Sequence, residues 1–314
     1  MTNTLPLRTL IVGGANLDIT GSCFARFVPG DSNPGLVKNS AGGVGRNIAE
    51  NLQRLGMNCS LLTVLGDDIG QALILRSCTD AGVDTGPIIM HPTLTTGTYM
   101  AINNQLGALL AAIADMAIID TLTPDQLALK AAYFTQADQI IIEANLPENS
   151  IQWICEQHSS KPICADGVSA AKAPRLRSVL AHLDVLKVNS DEAAAILQET
   201  GDDLALAEKL HAKGVKNVLL SQGPQGVILH NQDGTWYKSA IKGDNENDTG
   251  AGDSLFAGFV AARHLLKRPA DQLEFAVACA TFTLSSTASV NPKLGVHEIR
   301  QLFLSHLSKG AWCS

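Results

Sequence analysis

Between residues 60 and 221 the chain repeats one pattern: a short apolar run, a break, then a stretch with apolar residues three and four apart. The apolar runs are 60–65, 139–142, 162–165, 185–188 and 218–221. The stretches 71–81, 148–157, 191–199 and 203–213 have helical spacing, with Gly82 and Gly214 where helices should stop. Continuous apolar runs, rather than alternating ones, belong to strands buried on both faces, and helices supply the cover. The pattern therefore predicts an α/β chain with a doubly wound, mainly parallel sheet flanked by helices.

The ends extend this reading. Residues 8–14 (RTLIVGG) form a strand closed by a glycine turn, and 45–55 a helix with Ile48, Leu52 and Leu55 on one face. A hairpin at 226–237 turns at Asp233-Gly234. Three helices follow at 250–266, 270–286 and 296–307. Two stretches break the rhythm, 18–40 and 96–112, the second a hairpin turning near Asn103-Asn104. They are expected to leave the main sheet and form a small β lid, inside a single domain spanning 1–314.

Apolar residues make up 46% and charged residues 17%, which suits a large buried core. The net charge of −7, without a basic stripe, argues against nucleic acid as a partner. No apolar run reaches the roughly 18 residues that a membrane span needs. The N-terminus lacks the basic and apolar regions of a signal peptide. Seven scattered cysteines, Cys313 among them, form no C-x-x-C pair, as expected of free thiols in a cytoplasmic protein.

Five local patterns carry chemistry. Gly250-Ala251-Gly252-Asp253 stands just before an apolar helix. Backbone N–H groups of small residues at a helix start form an anion hole, and Asp253 in the first turn is placed to take a proton from a hydroxyl. The alternative is a plain N-cap loop. Gly42-Gly43, followed by Asn47 in the next helix, allows a ligand close to the backbone, or is a tight strand–helix turn. Asn16-Leu17-Asp18 offers a carboxylate for a vicinal diol, or a solvated loop acid. Asn189 and Glu192 share the first turn of a helix; they either support a hydrated Mg²⁺ or form a capping box. Ser221-Gln222-Gly223-Pro224-Gln225-Gly226 contacts a nucleotide or is an ordinary turn. A dinucleotide fold is disfavoured, because the G-x-G-x-x-G spacing is absent, and so are Walker A and G-x-S-x-G.

In their order and spacing these patterns resemble the ribokinase-like (PfkB) carbohydrate kinases over nearly the whole chain. The resemblance implies an ATP-dependent kinase with Asp253 as base and Gly250, Ala251 and Gly252 as anion hole. It implies substrate binding by Asn16, Asp18, Gly42, Gly43 and Asn47, and nucleotide binding by Asn189, Ser221, Gly223, Gly226 and Asn291. It puts Mg²⁺ with ATP beside Asn189 and Glu192, through water. A homodimer through the lids is the family-style expectation.

A narrower resemblance, to bacterial pseudouridine kinases, rests on Asp31-Ser32-Asn33-Pro34-Gly35, Ala112-Ile113-Ala114-Asp115-Met116 and Asp166-Gly167-Val168-Ser169-Ala170. It implies transfer to the 5′-hydroxyl of pseudouridine and brings Asp31 and Asp115 into the substrate set. Ala114 stands where that pattern has Asn. Asn247 stands where the wider family has an Asp that helps hold a monovalent cation, so a monovalent cation stays an open expectation. Ribokinase, fructokinase and purine nucleoside kinase activities are the alternatives, ahead of a non-catalytic nucleotide- or sugar-binding regulator.

Overall fold

The computed structural model describes residues 7–241 and 249–306. In chain order, β1 (Arg8–Val12) leads into β2 (Asn16–Cys23), β3 (Gly35–Gly42) and helix α1 (Val44–Arg54). Next come β4 (Asn58–Leu62), β5 (Val64–Leu65), α2 (Ile69–Ala81), β6 (Ile89–Met90), and the hairpin β7 (Thr98–Asn103) and β8 (Leu109–Asp115). Short helices α3 (Pro124–Ala128) and α4 (Ala131–Gln136) precede β9 (Gln139–Glu143), α5 (Glu148–Gln157) and β10 (Ile163–Asp166). β11 (Val185–Asn189), α6 (Ser190–Leu197), α7 (Asp203–Ala212), β12 (Asn217–Ser221), β13 (Val227–Asn231) and β14 (Gly234–Lys238) follow. Helices α8 (Ala251–Leu265), α9 (Pro269–Leu284) and α10 (Val296–His306) come last.

An eight-stranded sheet runs β14-β13-β12-β11-β10-β9-β1-β4. It is parallel from β4 through β12, and only β13 and β14 run antiparallel. The chain thus leaves β1 on one side to reach β4 and later returns on the other to reach β9. That reversal opens a crevice at the carboxyl ends of β1 and β9, where open α/β sheets bind ligands.

Successive side chains of a strand point to opposite faces, so each central strand feeds two cores. Leu10 and Val12 of β1, with Ile140 and Ile142 of β9, pack beneath α3, α5, α6 and α7. Ile11 and Ile141 pack on the other face with α1, α2, α8 and α9. These isoleucines are fully buried, each contributing about 1.5–3 kcal/mol. A one-residue slip would exchange the two cores, so the register of the site-bearing strand ends is fixed.

The predicted run 60–65 is interrupted: β4 ends at Leu62, and β5 leaves to pair with β6. Residues 117–136 and 173–182, which have no clear periodicity, hold short helices and 3₁₀ turns. β2, β3, β7 and β8 form a separate four-stranded sheet ordered β3-β2-β7-β8. The six cysteines among the described residues are buried and free. Cys313, Leu307 and Asn247 lie outside the described residues. Among the described residues, no helix is long and apolar enough to cross a membrane.

Candidate active site

The crevice holds a cavity of ≈ 260 Å³. Asn16, Asp18, Gly43, Asn47, Thr249 and Asp253 line it, together with Asn145 and Lys172. Val64, Tyr99, Met116, Ile118, Ile119 and Val168 add apolar surface.

The start of α1 is pressed against the end of β1. Gly43 adopts φ 96°, and a Cβ there would stand 2.5 Å from Gly14 O and Ala15 Cα. Only glycine fits. One strand away, the Asp18 carboxylate fills the space that a side chain on Gly42 would need. Asn16 Nδ2 donates to Asp18 Oδ1 at 2.5 Å. Burial raises the Asp18 carboxyl above its usual range, opposed by that hydrogen bond and by the Arg46 charge.

Asp253 lies in the first turn of α8, buried, and accepts a hydrogen bond from Asn47 Nδ2 at 2.7 Å. Burial and the nearby Asp166 raise its pKa to about 7, while Asn47, Lys187 and Arg46 pull it down. Gly250 caps α8 at φ 84°, and a Cβ on it would overlap Ser289 O. The first N–H groups of a helix have no intrahelical acceptor, and the start of α8 presents them beside Asp253.

Asn189 and Ser221 are register partners at the ends of β11 and β12. Asn189 and Glu192 form a complete capping box: Glu192 N–H donates to Asn189 Oδ1 at 2.8 Å, and Asn189 N–H to Glu192 Oε2 at 3.0 Å. Gly223 opens the 3₁₀ turn that follows Ser221 and Gly226 closes it, and neither lines the cavity. Asn291 is buried; its Nδ2 donates to Phe282 O and its Oδ1 accepts from Lys293 N–H.

Asp31 lies in an exposed turn away from the cavity. Asp115 is exposed as well. Thr98 pairs with both Leu17 and Asp115, whereas Tyr99 pairs with Asp18 and Ala114. Period-two alternation then puts Ala114 on the face of Asp18 and Tyr99, and Asp115 on the opposite one.

Three charged groups, Glu143, Lys187 and Lys172, escaped the sequence reading, and a fourth, Asp166, entered it only within a motif and without a role. Glu143 ends β9 and accepts from Gly14 N–H at 2.5 Å and Asn145 N–H at 2.7 Å. Asp166 ends β10 and pairs with Lys187 at 3.1 Å. Its Oδ1 also accepts from Val168 N–H at 2.7 Å, holding Val168 at φ 64°, a strained value for a β-branched residue. Lys187 comes within 3.1 Å of where a Cβ on Gly252 would be. Lys172 donates to Asn145 Oδ1. The available signal was an acid or lysine inside or closing an apolar strand, as in QIIIE, ICAD and VLKVN, since charges there are buried only when paired or used.

The family model for pfkB carbohydrate kinases matches residues 10–294. The chain belongs to this family. It is a phosphotransferase with an alcohol group as acceptor, acting on a sugar or a nucleoside. A pseudouridine kinase of Escherichia coli is 32% identical over 93% of this chain and 95% of that protein. A carbohydrate kinase from Agrobacterium tumefaciens superposes with TM-score 0.84 and 28% identity, covering 94% of this chain and 96% of that one. A putative ribokinase II from E. coli, solved with ATP and Mg²⁺, has TM-score 0.82 at 18% identity over 96% of this chain and 100% of its own; that likeness concerns the fold.

Proposed function

We propose that this kinase transfers the γ-phosphoryl group of ATP to the 5′-hydroxyl of pseudouridine. The observation that carries the reading is the cavity's mixed lining: acids and amides suited to hydroxyls, and beside them the apolar surface, or wall, of Val64, Tyr99, Met116, Ile118, Ile119 and Val168. A free pentose has no use for that wall, whereas a nucleobase does. Asn145 and Lys172 supply polar groups beside it, and the similarity to a pseudouridine kinase supports the same choice. Ala114 leaves the Asp18 row without a polar side chain at that point, so base recognition falls to Asn145 and Lys172.

In this reading Asp18, assisted by Asn16, Gly42 and Gly43, accepts the ribose 2′- and 3′-hydroxyls. Asp253 takes the 5′-hydroxyl proton as the oxygen bonds to the γ-phosphorus and the bond to the bridging β,γ-oxygen breaks, releasing ADP. The N–H groups at Gly250, Ala251 and Gly252 receive the charge on the transferring group. The nucleotide lies along Asn189, Ser221, Gly223 and Gly226.

Among the described residues no set of acids, histidines and cysteines is close enough to hold a metal by itself. Both Glu192 oxygens are bonded to Asn189. This oxygen-rich pair fits a hydrated Mg²⁺ that arrives with ATP and is supported through water; when bound, the ion neutralises phosphate charge. The second sheet acts as a lid over the substrate, and its outer face, with Val37, Met100 and Ile113 exposed, joins two copies into a homodimer. The enzyme works in the cytoplasm.

The test is kcat/KM for pseudouridine, uridine, adenosine, inosine, ribose and fructose with Mg²⁺ and ATP. Pseudouridine is expected to exceed uridine by about 5- to 150-fold, the effect of one unpaired buried polar group. A tenfold preference for ribose or a purine nucleoside would refute the pseudouridine assignment and leave the kinase activity standing.

A further inference from the structure

Arg46 is 2% exposed, yet no step above uses it. Its guanidinium has no acceptor atom and keeps its charge at any working pH. Nε donates to Gly42 O at 3.3 Å and Nη1 to Glu50 Oε2 at 2.6 Å. Nη2 donates to Ala41 O at 2.7 Å, to Ser289 Oγ at 3.0 Å and to Asn47 Oδ1. Glu50 does not depend on it. Arg54 reaches Glu50 Oε1 at 2.8 Å, and Ser77 reaches Oε2 at 3.2 Å. Charge balance for Glu50 therefore leaves most of the Arg46 contacts unexplained.

Those contacts converge on the base. The group of Asn47 that faces a guanidinium must be its carbonyl oxygen, because the guanidinium can only donate. Ser289 Oγ lies 3.3 Å from the same oxygen. The Asn47 NH₂ is thereby turned toward Asp253 Oδ2. The Ser289 carbonyl is also the atom that excludes a side chain from Gly250. One buried cation touches the rim of the sugar site, the partner of the base and the loop under the anion hole.

We propose that Arg46 is a positioning residue for phosphoryl transfer: it fixes the Asn47 amide so that Asn47 donates to Asp253, and ties that pair to Gly42 and Ser289. The inference rests on the reading of Asp253 as base. The groups facing Asp253 are Asn47 and Arg46 from α1, Asp166 from β10 and Lys187 from β11. Asn47, Lys187 and Arg46 favour the carboxylate and Asp166 opposes it; the variants below remove Arg46 and Asn47. Losing them moves Asp253 toward its neutral form, so the acid limb of the rate profile shifts to higher pH.

The experiment is a double-mutant cycle on kcat across pH with Arg46→Met, Asn47→Ala and the pair. Arg46→Met is expected to lower kcat roughly 10- to 100-fold, the effect of a hydrogen bond to a charged group. The acid limb should move up, and the double variant should be no slower than Asn47→Ala. Additive losses, or an unmoved acid limb in Arg46→Met, overturn the proposal. Arg46→Lys keeps the buried charge and runs through the same cycle should the methionine variant not fold; additivity there overturns the proposal equally. Asp253→Asn separates the two levels. If it retains wild-type kcat, the base reading itself fails; if it is inactive while the cycle is additive, only the role of Arg46 fails.

Discussion

At the residue scale, the site is built from ionisable groups placed where burial works against their charge. Glu143 shows the consequence. Burial raises its pKa from 4.5 to about 7, against hydrogen bonds from Gly14 and Asn145 that favour the carboxylate. A carboxyl with a folded pKa above its unfolded one adds stability that is full below the unfolded value and is lost as pH rises through the folded value. Wild-type protein should therefore lose Tm between about pH 5 and about pH 8 relative to Glu143→Gln, which cannot ionise. Scanning fluorimetry of both proteins without ligand measures this. A Tm difference that stays constant over that range would show that Glu143 does not titrate there. Asp253 follows the same physics, its carboxyl raised chiefly by burial.

At the element scale, the candidate residues lie where strands end and helices begin, and one such junction combines two features. The Asn189–Glu192 box caps α6, satisfying N–H groups that the helix cannot pair internally. It also holds Glu192, buried, beside Lys187 and facing the proposed phosphate path. Glutamine can still complete the capping box through its one oxygen, so Glu192→Gln should keep α6 capped while losing one of the two hydrogen bonds that Asn189 donates to Glu192. The Mg²⁺ concentration for half-maximal rate should rise, because the charge that supports the hydrated ion is gone. An unchanged Mg²⁺ titration would confine Glu192 to capping. The second sheet teaches a related lesson: its alternation turns Asp18 toward the cavity and Asp115 to the opposite face.

At the scale of the whole molecule, the second sheet stands off the main body with apolar side chains in solvent. Val37 is 69% exposed and Ile113 is 69% exposed. A sheet face with such residues is normally covered. The lid-to-lid dimer predicts that the protein elutes as a dimer in size-exclusion chromatography with light scattering. Ile113→Lys should move it to the monomer mass while the thermal transition of the main body stays in place. A wild-type protein already monomeric at micromolar concentration would sink the dimer.

The sequence alone settled the layered architecture, because apolar runs without alternation have only one economical burial, between helices. It also put forward most of the candidate reacting groups, since glycine before a helix start and an acid in its first turn are local signatures. Short-range geometry produces both, and a single chain displays it openly. Which of those groups meet was decided by tertiary structure. Asp18, Asn47 and Asp253 come from β2, α1 and α8, and only the reversal of strand order around β1 brings them to one crevice. Glu143 and Lys187 carry no local motif, and Asp166 stands out only as the first residue of a short one. Their meaning depends on neighbours across parallel strands, and such pairings join residues far apart in the chain. Arg46 was legible only as part of a glycine-rich motif, because the partners that define its task, Ser289 and Asp253 through Asn47, lie more than two hundred residues away.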